Sequence, residues 1–262
     1  MKFSGFPKFA ALSALLGALI LTLAGCGATV SNLALTQGNW AVTATSTAPG
    51  INIAGPTFVL GGNLTQSGAT LSGTLAINQS GCISPQTLQF TGTVKDKNIT
   101  LVSNAFDGNV ISVTASGTKD SLSGNYTITG GCADQGPVTA GAVPSVSGTW
   151  NGTLSPVTLH TNGIAQVGIS AALTQSASAS EDGSFALTGT LTYTGTSCSE
   201  PANLVGSSIS GSTVTINTDS AFSYVAPTLN SLTNPTSMTG DYDGTSDVCS
   251  GVGSQTLVLT KQ

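Results

Sequence analysis

Beyond residue 30, apolar and small polar residues alternate along most of the chain. Leu71-Ser72-Gly73-Thr74-Leu75-Ala76-Ile77 and Val110-Ile111-Ser112-Val113-Thr114-Ala115 are the clearest runs. A period of two puts every second side chain on one face, as in a strand buried on one side. No stretch after residue 30 carries the 3.6-residue period of an amphipathic helix. In the first half the alternation predicts eight short strands, near 38–46, 57–66, 70–78, 87–95, 97–104, 109–118, 121–129 and, more weakly, 136–142. Gly and Asn mark the turns between them. The fold class is all-β and antiparallel. Short sequential strands with tight turns predict an up-and-down meander that closes into an eight-stranded barrel, with a two-sheet sandwich as the alternative.

The chain also repeats itself. Gly38-Asn39-Trp40 answers Gly148-Thr149-Trp150, which hold the only two tryptophans. Leu64-Thr65-Gln66-Ser67 answers Leu173-Thr174-Gln175-Ser176, and Gly73-Thr74-Leu75 answers Gly189-Thr190-Leu191. Cys82 and Cys198 each stand seven residues beyond those leucines, and Gly124 and Gly240 each lie forty-two residues further on. Tyr126 and Tyr242 follow, then Cys132 and Cys249. The one sizeable difference is a seven-residue insertion within Ala177 to Ser184, where Glu181-Asp182-Gly183 predicts an enlarged hairpin loop. Two tandem β domains follow, at 37–140 and 147–262, joined by a linker at 141–146 short enough that they should touch.

The first 25 residues stand apart. Lys2 and Lys8 precede an apolar run from Phe9 to Leu23, which ends in Leu23-Ala24-Gly25-Cys26. A basic start, an apolar middle and small residues before a cleavage point describe a secretory signal. The ending resembles the lipobox of bacterial lipoproteins. That resemblance implies cleavage before Cys26, diacylglycerol on its sulfur and a fatty acyl group on its new amino terminus. Residues 26–36 would then be a lipid-anchored tether, holding the first domain close to a bilayer. Gly27 follows the cysteine where an aspartate would signal inner-membrane retention in enteric bacteria, so the analogy points to the outer membrane. With Cys26 acylated, four cysteines remain. Of their three pairings, the duplication selects Cys82 with Cys132 and Cys198 with Cys249, one bond per copy, which an exported location permits.

Composition narrows the function. Charged residues are 6% of the chain, against about 25% in an average domain. Arginine is absent, and beyond the signal four lysines face eleven acids, a net charge of −7. Nucleic-acid binding needs several phosphate-neutralising cations, so it is excluded as a function class. No bidentate clamp for phosphate or carboxylate is available either.

Candidate chemistry is sparse, and a non-catalytic protein without a cofactor is expected. His160 is the only histidine and has no counterpart in the first copy. Asp241, Asp243 and Asp247 alternate around Gly244 and form a weak calcium candidate, more simply read as a solvated acidic turn. Asn63, Asn98 and Asn151 head glycosylation sequons. Trp40 and Trp150 are expected as core anchors, with Phe90, Tyr126, Phe185 and Tyr242 as interior fillers. The Gly-x-Trp on the first strand with its Thr-Gly-Thr-Leu hairpins resembles the calycin barrels, lipocalins and avidins, and this implies a small apolar ligand inside each barrel. Two functions stay open: a structural, adhesive or surface-binding envelope protein meeting polysaccharide or another protein, and a carrier of small apolar molecules.

Overall fold

A computed structural model describes residues 32–47, 57–77, 83–159, 163–194, 201–219, 227–231, 234–247 and 251–262. The first half forms eight strands: β1 (Gly38–Thr45), β2 (Thr57–Ser67), β3 (Thr70–Ile77), β4 (Gln86–Lys95), β5 (Asn98–Ser103), β6 (Val110–Gly117), β7 (Ser121–Thr129) and β8 (Asp134–Ala142). Each pairs antiparallel with the next, and β8 returns to β1 with Trp40 opposite Ala142, closing a barrel. The meander is therefore a barrel and not a sandwich.

The second half repeats the ring. Its strands are β9 (Gly148–Leu159), β10 (Gly163–Ala179), β11 (Phe185–Thr194), β12 (Ala202–Asn203), β13 (Ser207–Ser210), β14 (Thr213–Thr215), β15 (Thr228–Leu229), β16 (Ser237–Asp247) and β17 (Gly251–Lys261). The ring closes through the pairings of β10 with β11 and of β17 with β9. β12 and β13 lie on the same side of β11 and together take the place that β4 fills in barrel 1. Nine segments thus fill eight positions.

Alternation puts apolar groups inside. Along β4, Leu88, Phe90 and Val94 are buried, while Thr87, Gln89, Thr91, Thr93 and Lys95 are exposed. This is the reverse of a membrane-spanning barrel, whose outer band is apolar. Trp40 and Trp150 are buried at the start of each ring, and each indole N–H donates at 2.8 Å to the carbonyl four residues earlier, Thr36 and Val146. Gly38 and Gly148 hold φ near +119° and +131°, a conformation other residues rarely adopt, so the glycine of Gly-x-Trp is dictated by the backbone.

Two connecting segments are more ordered than the expected tether at 26–36 and linker at 141–146. Residues 32–36 form a strap across one end of barrel 1. Leu33 N–H donates to Asp96 O at 2.7 Å, Leu35 N–H to Gln66 Oε1 at 2.8 Å, and Thr36 N–H to Lys119 O at 2.8 Å. Gln66 Nε2 donates back to Leu33 O, and Leu35 is buried. At the linker, β8 runs to Ala142, and Val143 and Val146 are both buried. The physical reason is the same in both places: an open barrel end exposes apolar side chains, and the nearest chain covers them.

Candidate functional site

The interior of barrel 1 is filled. Trp40, Phe58, Leu75, Phe90, Ile111 and Tyr126 are among the side chains around a cavity of about 40 Å³. Phe58 and Tyr126 meet edge to face at 5.2 Å. Buried polar groups of barrel 1 have their partners: Tyr126 OH donates to Asp134 Oδ2 at 2.8 Å, Asp134 Oδ1 accepts from Ser46 Oγ at 2.7 Å, and Ser103 Oγ accepts from Ile111 N–H at 2.9 Å. Burial first, and then the bond to Asp134 and its charge, push the Tyr126 hydroxyl well above the usual tyrosine range. It stays protonated, and the network serves the core.

The surface is where the halves differ. Asn39 points outward from β1 and is buried against barrel 2, its Nδ2 donating to Gly211 O at 2.9 Å and its Oδ1 accepting from Gly211 N–H at 2.7 Å. Gly211 sits in the β13–β14 turn, so the Asn39 carboxamide pairs with it as a strand would. Ala41 packs into the core cluster of barrel 2. A side chain on Gly61 would come within 2.6 Å of the Ser210–Gly211 backbone. The outer wall of barrel 1 thus closes one end of barrel 2, as the strap closes barrel 1. Asp96 holds the equivalent place in the β4–β5 turn of barrel 1, and it shares with Gly211 a φ of +57°. Asp96 N–H is held by Asn32 Oδ1 and its carbonyl by Leu33 N–H.

The seven-residue insertion extends β10 and turns back at Ser180–Ser184, pinned by Ser184 N–H to Asp182 Oδ1 and Gly183 N–H to Ser180 O. Its tip rests on barrel 1, where a side chain at Gly183 would collide with the Thr74 carbonyl. Between this hairpin and barrel 1 lies a cleft of about 380 Å³, lined by Gln37, Asn63 and Thr65 on one side and Ala177, Ser178 and Phe185 on the other. A second depression of about 430 Å³ runs along the strap past Asn32, Leu35 and Gln66 and also touches Gln37. No ionisable residue lines either one.

The residues singled out in the sequence disperse. Cys26, Cys82, His160, Cys198 and Cys249 lie outside the described residues. Cys132 is buried after β7, its N–H donating to Asn109 Oδ1. Phe90 and Tyr126 fill barrel 1 and Phe185 barrel 2, while the side chain of Tyr242 is outside the described set. The expected acidic turn at 241–247 is instead part of strand β16, with Asp241 opposite Thr256 and Asp243 opposite Ser254. The segment pairs with β17 because Met238 and the β17 residues Leu257 and Leu259 alternate inward, all three buried in the core of barrel 2. An extended backbone spaces residues two apart by about 6.8 Å, where a calcium loop would curl them around one point. Among the described residues no group of three His, Cys, Asp or Glu side chains could hold a metal.

Sequence reasoning missed Asn39, Gly211, Gln37 and Asn63 as surface groups of the seam and the cleft. A signal was present: Asn39, Ala41 and Gly61 correspond to Thr149, Asn151 and Ser170 in the second copy. There the same wall faces solvent, with Thr149 and Asn151 exposed. Comparison with known protein families, curated proteins and solved structures finds no match to this chain.

Proposed function

We propose that this chain is a lipid-anchored, non-catalytic protein of a bacterial cell envelope that binds its partner on its outer surface. The observation that carries this reading is the filled interior of barrel 1. A cavity of about 40 Å³ is far below the roughly 300 Å³ at which ligand pockets begin, so a carried apolar molecule has no place there. What remains for recognition is a weakly charged exterior of Thr, Ser, Asn and Gln, and the clefts where the copies differ. Cys26, in its lipobox context, supplies the anchor, and the protein resides at the outer membrane. Disulfides Cys82–Cys132 and Cys198–Cys249 belong to the same proposal. Cys132 supports the first, being buried and disulfide-bonded.

Fractionation of cells expressing the full chain tests the anchor. The protein should stay with membranes through a carbonate wash, and Cys26→Ser should release it as a soluble form. Retention of Cys26→Ser in the washed membranes would refute the anchor.

A further inference from the structure

Gln37 lines both depressions, so a groove that passes it would run from the strap of barrel 1 to the inserted hairpin of barrel 2. Its chemistry is consistent along its length. Asn32, Gln37, Asn63 and Gln66 bring carboxamides, Thr65 and Ser178 bring hydroxyls, and no lining group titrates. Some of this capacity is used internally: Gln66 holds the strap, and Asn32 Oδ1 accepts from Asp96 N–H. The rest is open. Gln37 makes one side-chain bond, Nε2 to Gln66 O at 3.3 Å, leaving its oxygen as an acceptor. No hydrogen bond ties the half-buried Asn63 carboxamide to another described residue. Phe185 and Leu35 add apolar floor.

A carboxamide offers a donor and an acceptor on one rigid group, and a hydroxyl offers both on one atom. Ligands that answer with paired donors and acceptors, and carry no charge, are hydroxyl-rich sugars. An anionic ligand would find no cation here, and a basic peptide no carboxylate. Two open depressions on either side of Gln37 suit a short stretch of a chain. The inserted hairpin, present in only one copy, builds one wall, so the site exists once per molecule.

We propose that this groove binds an uncharged oligosaccharide or polysaccharide chain. The inference rests on the surface-binding reading above and assigns it a place and a ligand class. The test uses the full mature chain in detergent, with cellohexaose, chitohexaose and dextran as neutral probes, polygalacturonate as the anionic control, and titration calorimetry as the readout. At least one neutral probe should bind. Gln37→Ala with Asn63→Ala should weaken it at least about tenfold, as loss of two hydrogen bonds predicts. Ala177→Trp, at an exposed position on the opposite wall, should block it without changing the thermal midpoint. Binding that is indifferent to all three substitutions, a preference for polygalacturonate, or capture of an envelope protein without any glycan would each overturn the proposal. So would no binding at all. Flotation of the same preparation with vesicles separates the two failures: protein that floats but binds no neutral glycan sinks only the groove, whereas protein that does not float sinks the anchored reading too.

Discussion

Replacing Asn39 with alanine should uncouple the two barrels. The wild-type carboxamide satisfies both the N–H and the carbonyl of Gly211, at 2.7 and 2.9 Å, in a buried contact. Alanine leaves both groups without partners beneath the wall of barrel 1. An orphaned buried peptide group is destabilising by about 1–3 kcal/mol, so the pair is expected to lose about 2–6 kcal/mol. That is a large part of the roughly 5–15 kcal/mol that holds an ordinary domain. Asn39→Asp should be worse: a carboxylate still accepts from Gly211 N–H, but it faces the Gly211 carbonyl with no proton to donate. The tryptophans make the measurement specific, since Trp40 lies in barrel 1 and Trp150 in barrel 2. Urea unfolding followed by fluorescence in Trp40→Phe and Trp150→Phe backgrounds reports each barrel separately. With the native asparagine in place, fluorescence and far-UV circular dichroism should give one coincident transition within each background. Once Asn39→Ala is introduced into both backgrounds the two probes should separate, with barrel 2 unfolding first because its end is uncovered. Coincident transitions with an unchanged midpoint in Asn39→Ala would refute the reasoning.

Other consequences can be checked with the same protein. Gly61→Ala should destabilise by at least about 1–3 kcal/mol, because the new methyl meets backbone rather than a movable side chain; a variant as stable as wild type would contradict the close contact. Stability should fall as pH rises above about 10, the unfolded tyrosine value, because the raised Tyr126 lets the unfolded state release its proton first. Tyr126→Phe should flatten that part of the pH profile measured by denaturant midpoints, and an unaltered slope would remove Tyr126 as its source. Trp40→Phe should lose the bond to Thr36 O and loosen the strap, seen as faster amide exchange at Leu33 and Leu35; unchanged exchange would count against that coupling.

The barrel was legible wherever one face is buried along a whole strand. In β3 to β5 and in β7 the inward positions are almost all apolar or glycine, so the period of two marks each strand and its inner face. The described residues between 201 and 236 offer no such pattern. Their strands are two to four residues long, too short for a period to register, and they are held by pairing with neighbours already in the ring. The acidic run misled for a different reason. Asp, Gly and Ser are turn residues by propensity, but pairing with β17 overrides propensity along β16. The seam was hidden by distance, since Asn39 and Gly211 are 172 residues apart. Only the mismatch between copies at outward positions pointed to it, and the insertion marked one wall of the groove without naming the other.

The anchored, surface-binding account is tested most directly by the intact mass of the mature protein purified from bacterial membranes. It predicts a chain beginning at Cys26 and heavier than its residues by a diacylglycerol and one further acyl group. A mass equal to the unmodified chain, whether begun at Met1 or at Cys26, would contradict it.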